Sequence, residues 1–412
     1  MWKKFLITYI TLLVSFTFFI LGVHMIPKRL LIPHVLQSAQ LIKTEGIFRQ
    51  IGNIYLLQID NMTDCMMMNM AITADDNHPI VSAMNNYYSC NSVDEDYHNM
   101  ALNTIQLAEN GADSLPERIH YGRYWQGSQI FLRPLLVITN YFGIRIINYI
   151  MLSILLVWLL LLIASNFGRT VSLLFLISLL FVGVPIVPLS IQLSVCFYLM
   201  FISSIIIMKF CTIQNSLLLF FIIGAFTSYF DFLTIPQITL GIPLIFLLLK
   251  NRVDNPSKYV IVLSLSWFLG YALLWSSKWM IAYLLTGNDI VDTVKNSIML
   301  RLSNSVVFHG KTINIYNLFN LIFIKISWWI QLIIFIFVLV IFYVYYKYQK
   351  GMKFIKDNSW LLIISFIVPL WYSVLRNHSV QHIFFTWRAI LVTIFSLMLF
   401  VYYTTKKEDY HG

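Results

Sequence analysis

Charge is scarce in this chain. Only 11% of its 412 residues are Asp, Glu, Lys or Arg, where a soluble domain carries about 25%. Hydrophobic residues make up 59%, aromatic residues 16%, and mean hydropathy is +0.75. That balance excludes an ordinary soluble domain and describes a polytopic membrane protein. The sequence also lacks an internal repeat, which weighs against an inverted-repeat transporter, and it has no low-complexity segment. Its net charge of +10 and pI near 9.3 come without a basic tail or nucleic-acid motif, so no nucleic-acid partner is expected. The basic residues read instead as anchors of cytoplasmic loops. Cysteine is sparse, with four residues. Cys196 and Cys211 lie in or beside apolar segments and read as inert. Cys65 and Cys90 share the first loop, where they either pair or remain free thiols.

Apolar runs are what the chain has in abundance. Ten candidate spans are expected at 5–25, 147–165, 171–187, 193–210, 215–230, 235–250, 259–283, 316–346, 360–375 and 388–404. The first follows MWKK and precedes no small-residue cleavage site, so it reads as an uncleaved signal anchor. Residues 127–142 carry Arg133 and Pro134 and are too short to span. Treating them as a span would also put the lysine-rich 347–356 loop outside. They read as a helix lying in the outer interface. The fold class is therefore an all-α polytopic membrane protein of about ten helices. Its parts are a signal-anchor helix (1–25), a large extracytoplasmic loop with juxtamembrane helices (26–146) and a helical bundle (147–412). Lysines and arginines fall in the short loops on the side of both termini, which places the termini in the cytoplasm. The abundance of Ile, Phe, Tyr, Asn and Lys suggests an AT-rich bacterial genome, and so a bacterial cytoplasmic membrane.

Three polar stretches stand out against this apolar background. DNMTDCMMMNM holds Asp60 and Asp64, four residues apart, just past the first span. On a helix they would share a face. Such a pair raises one pKa and provides a general base, or holds a divalent cation, Mg or Mn, on carboxylate oxygens. SYFDFLTIPQ places Asp231 at the outer end of a span, next to Pro236. An acid there either lines a cavity or caps a helix. LRNHSVQHIFFTWR packs Arg376, His378, His382 and Arg388 into one short outer connection. Arg and His donors suit a phosphate, and the alternative is anchoring against lipid headgroups. Lys278, Lys325 and Arg133 are further bases on or near the same side. Acids and bases on one face suit an anionic lipid headgroup with a base beside it.

This arrangement resembles the membrane glycosyltransferases of the GT-C superfamily. They too place acids just after the first helix, followed by an amphipathic segment ending in a "PL…FG…R" pattern. Here that pattern reads RPLLVITNYFGIRIINYIML, with Pro134, Leu135, Phe142, Gly143 and Arg145 in place. The likeness covers the first 165 residues in pattern and the remainder in topology. It departs from the group in spacing the acids by four instead of placing them side by side. The resemblance implies a polyprenyl-phosphate-linked sugar as donor, a cell-envelope glycan or lipid as acceptor, and inverting transfer on the outer face. Asp60, Asp64 or Asp231 would be the base, with Arg, His or a metal at the leaving phosphate. Competing expectations are a polysaccharide repeat-unit polymerase, a lipid-linked sugar flippase or transporter, and a structural partner in an envelope complex.

Overall fold

A computed structural model describes residues 2–92, 96–251, 253–287, 291–303, 306–308, 311–313 and 352–405. Among the described residues it is helical apart from loops and two short antiparallel strand pairs. Tyr88–Cys90 (β1) pairs with Glu117–Ile119 (β2), and Val306–Phe308 (β3) pairs with Lys311–Ile313 (β4).

Among the described residues, seven helices are long and apolar enough to cross a membrane: Trp2–His24 (α1), Tyr141–Phe167 (α7), Ile191–Phe210 (α9), Ile213–Phe230 (α10), Pro256–Thr286 (α12), Asp357–Val374 and Ile383–Thr404. Two more expected spans form apolar helices that are shorter, Arg169–Phe181 (α8) and Gln237–Lys250 (α11). The tenth, 316–346, lies outside the described residues, as does Lys325. The 127–142 segment is not one helix. Gln129–Ile138 (α6) ends at Thr139, and Asn140 caps a new helix by accepting from the Phe142 and Gly143 N–H groups at 3.1 and 3.3 Å. The second long helix therefore starts at Tyr141, six residues earlier than its apolar run.

Residues between α1 and α7 build a unit at one end of the bundle. At its centre is Asn61–Thr73 (α3), packed against Ile32–Glu45 (α2), Asp96–Asn110 (α5) and α6. Every α3 residue but Thr63 is buried. The sequence explains this. The helix carries methionine on all sides, and a helix without a polar face has to be enclosed. Methionine's unbranched chain also fills irregular gaps. Asn69 ties this helix to β1: its Nδ2 donates to the Ser89 carbonyl at 3.1 Å and its Oδ1 accepts the Ser89 N–H at 2.8 Å. Cys65 and Cys90 are both buried and are not joined to each other by a disulfide. Cys65 Sγ lies 3.5 Å from Thr104 Oγ1.

In the bundle, α10 and α12 make the closest crossing. A Cβ on Gly224 would lie 1.9 Å from the Trp267 carbonyl oxygen, and one on Gly270 would lie 2.0 Å from that of Phe221. Two glycines thus let the backbones touch.

Candidate functional site

The three polar stretches meet in space. The N-termini of α7 and α9, the C-terminus of α10 and the connection ahead of the last span all reach the end of the bundle that α3 occupies.

Asp60 and Asp64 are both buried but differ in what they bind. Asp64 Oδ2 accepts from the Tyr141 hydroxyl and, at 2.7 Å, from the Ile191 N–H; its Oδ1 accepts from the Gln192 N–H at 2.9 Å. The carboxylate therefore caps the first turn of α9 from outside that helix, where the dipole favours negative charge. Burial raises its pKa, against the pull of those bonds. Asp60 is the N-cap of its own helix. Its Oδ1 accepts the Thr63 N–H at 3.0 Å, while Oδ2 is buried without a partner among the described residues. Burial, with the Asp64 charge adding, pushes the Asp60 pKa up to about 7; the Thr63 bond and the Arg388 guanidinium pull the other way.

Arg388 is the facing base. It is wholly buried. Its Nη1 donates to the Phe384 carbonyl at 2.7 Å and its Nη2 to the Leu56 carbonyl at 3.3 Å, while Nε has no partner. The adjacent Trp387 also reaches Leu56 O, through Nε1 at 3.0 Å. The last span is thereby tied to the residues just ahead of Asp60.

Asp231 lies one step away through hydrogen bonds. Both its oxygens accept the Thr234 N–H, at 3.0 and 3.1 Å. Thr234 Oγ1 in turn accepts from Gln192 Nε2, on the α9 turn that Asp64 caps. Between them Leu233 sits at φ +68, and its carbonyl lies 2.7 Å from His378 Nε2. Asp231 closes a polar loop after α10, and burial raises its pKa to about 6.

Neither histidine is cationic at neutral pH. Burial and the nearby Arg301 and Arg123 charges lower His382 to about 4. His378 falls well below its usual value through burial, with His382 and Arg301 adding. The rings lie 4.8 Å apart. Positive charge here comes from arginines instead. Arg301 Nη2 donates to the Tyr124 hydroxyl at 2.7 Å, and the Arg123 guanidinium lies 4.0 Å from the Tyr121 ring centroid. Arg301 had no signal in the sequence, since it stands in an unremarkable polar stretch.

Other bases singled out from sequence serve helix ends. Arg133 is buried, with Nε on Val23 O, Nη1 on Ala71 O and Nη2 on Ile26 O, at 2.9, 2.8 and 3.0 Å. These carbonyls close α1 and α3. Buried Lys278 donates to Met84 O at 2.7 Å, at the end of the Pro79–Asn85 helix (α4). Arg376 Nε donates to Ser373 O at 2.7 Å. Arg145, from the family-like pattern, binds both Glu45 oxygens, at 2.7 and 2.9 Å, and Asn61 Oδ1 at 2.7 Å.

Asp64's two oxygens together accept three N–H and O–H donors, while Asp60 Oδ2 accepts none among the described residues. Among the described residues, no three His, Cys, Asp or Glu side chains come together to hold a metal.

The fold and site together define a polytopic helical membrane protein with buried charge concentrated at one end. Comparison with family models, with curated proteins and with solved structures finds no match to this chain.

Proposed function

We propose that this protein is an integral-membrane glycosyltransferase of GT-C type, with Asp60 as its general base. It moves a sugar from a polyprenyl-phosphate donor to a hydroxyl of a cell-envelope glycan or lipid. The observation that carries this reading is the Asp60 carboxylate. One of its oxygens has no partner, it is buried, and its pKa is raised to about 7. A base matched to neutral pH is most effective in proton transfer. Asp64 and Asp231, whose oxygens accept bonds, position helix ends.

In the reaction, Asp60 Oδ2 takes the proton of the acceptor hydroxyl as that oxygen attacks the anomeric carbon. The bond from that carbon to the phosphate oxygen breaks with inversion, and polyprenyl phosphate leaves. Arg388, whose Nε is unpartnered, stabilises the charge developing on the leaving phosphate. No step needs a metal on the aspartates. Asp60 is 1% exposed, so an acceptor reaches it only when neighbouring chain moves. The 46–59 segment just ahead of it holds only two short 3-10 turns and one Gln50–Gln58 bridge.

Sidedness supports an outer-face site in a bacterial cytoplasmic membrane. Arg169, Lys209, Lys250 and Lys258 lie at the ends of helices remote from the site, and basic residues favour the cytoplasm. Lys3 and Lys4 open α1 at that same end, which supports an N-terminus on the inside as well.

The test is sugar transfer by purified protein in lipid, with radiolabelled polyprenyl-phosphate sugars and an envelope extract as acceptor. Wild type is expected to transfer and folded Asp60→Asn is not. Equal rates in the two would remove Asp60 from the chemistry.

A further inference from the structure

Gln126 combines two features that a purely structural position has no reason to keep. It is wholly buried, yet among the described residues neither its Oε1 nor its Nε2 has a partner. Its backbone also sits at φ +59, in the left-handed region that disfavours any residue with a side chain. Strain and an unmet buried amide on one residue point to a function.

The surroundings fix where this turn lies. The Gln126 carbonyl accepts the Gln129 N–H at 2.9 Å, which closes a tight turn. The Gly127 N–H donates to the Tyr229 carbonyl at 3.0 Å, and a Cβ on Gly127 would lie 2.6 Å from that oxygen. The turn is thus pressed against the last turn of α10, two residues before Asp231. Gln129 Nε2 donates to the Met67 carbonyl at 2.9 Å, leaving a buried Oε1 without a partner. Met67 follows Asp60 and Asp64 along one face of α3, at spacings of four and three. At 1.5 Å per residue it stands about 10 Å along the axis from Asp60. Ser228, next to Tyr229, has a buried hydroxyl that is also unpartnered.

These groups are uncharged. They offer two amide oxygens, one amide NH₂ and one hydroxyl. That set suits a neutral ligand carrying several hydroxyls and has nothing to recommend it to a phosphate or a cation. We infer that Gln126 and Gln129, with Ser228, form a subsite for the sugar ring of the donor, reading its hydroxyls while Asp60 acts at the anomeric carbon. This rests on the glycosyl-transfer reading. Gln126 is strained at φ +59 and its amide is unsatisfied, and a bound sugar would relieve the second of these.

Gln126→Gly separates a ligand role from a structural one, because glycine accepts the backbone geometry and deletes the unmet amide. The variant is expected to melt roughly 2 °C or more above wild type in detergent. The probes are farnesyl phosphate, bare or carrying glucose, mannose, galactose or arabinose, with binding followed by tryptophan fluorescence. Wild type is expected to bind one sugar-bearing probe about tenfold or more tighter than the bare lipid, and Gln126→Gly to lose that difference. A lower melting temperature in Gln126→Gly would mark the residue as structural and overturn the inference. So would an undiminished sugar preference in the variant, or no preference in wild type for any probe. Asp60-dependent transfer, measured separately, shows whether the catalytic reading survives such a result.

Discussion

At the end of the bundle where α3 sits, charged side chains are buried and their donors are directed to backbone carbonyls: Arg133 to three of them, Lys278 to Met84 and Arg388 to Phe384 and Leu56. At the opposite end, charge stays near the surface. Lys209 rests 4.8 Å from the Trp158 ring centroid. Lys250 Nζ donates to the Ile207 and Cys211 carbonyls, each at 3.0 Å, from a half-buried position. A buried ion is costly unless its partners are complete, so the first end holds its shape through charge and the second merely tolerates it. Among the described residues Asp60 Oδ2 and Arg388 Nε keep no partner, whereas all three nitrogens of the Arg133 guanidinium are bonded.

The predictions follow this contrast from strong effects to weak. Asp60→Asn is expected to lower transfer by about 10²-fold or more, as loss of a general base does, with the melting temperature retained; a rate assay beside a thermal scan checks both. Arg145→Met removes the hydrogen bonds to the half-buried Glu45 and to Asn61, leaving Glu45 only Arg49 at 3.8 Å as a charge partner, and is expected to cost about 2–4 kcal/mol in detergent unfolding. Asp64→Ala strips acceptors from the Ile191 and Gln192 amides and the Tyr141 hydroxyl. It is expected to destabilise the fold by about 2–4 kcal/mol, which separates it from Asp60 in the same experiment. At the other end, Lys209→Ala is expected to shift stability by no more than about 0.5 kcal/mol.

A pH series sharpens the same point. The Asp60 pKa lies near 7 in the fold, against an ordinary carboxylate value of 3.8. The protonated form is the one the fold prefers. Its stabilising contribution is complete below about pH 4 and is lost as pH rises to about 7. Transfer runs the opposite way, because the base acts ionised, and kcat/KM is expected to climb with pH and reach half its plateau near 7. In Asp60→Asn the stability slope between pH 4 and 7 should flatten. A slope unchanged by the substitution would assign the titration to another group.

Much of the fold was legible because membrane spans announce themselves by length and hydropathy. The break at Thr139–Asn140 was harder to see, since apolar residues continue through it and only the Asn140 cap marks the join. Gathering Asp60, Asp231 and the 375–388 stretch on one side followed from sidedness. Their separate roles did not, because these depend on which oxygens find donors. Arg133 and Lys278 read as ligand candidates because their partners are main-chain carbonyls, and a carbonyl leaves no trace in the sequence. Gln126 was silent for a related reason: its signal is a backbone angle and a missing partner.

The tie between Leu56 and the pair Trp387–Arg388 spans more than 330 positions of chain. It sets an order of events during synthesis. At about 5–20 residues per second, the first loop emerges tens of seconds before the segment that completes it. Until then Asp60 has no facing arginine, and α3, with methionine on every side, has no finished enclosure. The nascent protein must shelter an oily, half-built pocket throughout that interval. The polar cluster is assembled last, when the final helix joins the bundle, so a chain truncated before residue 383 would lack the tie to Leu56 altogether.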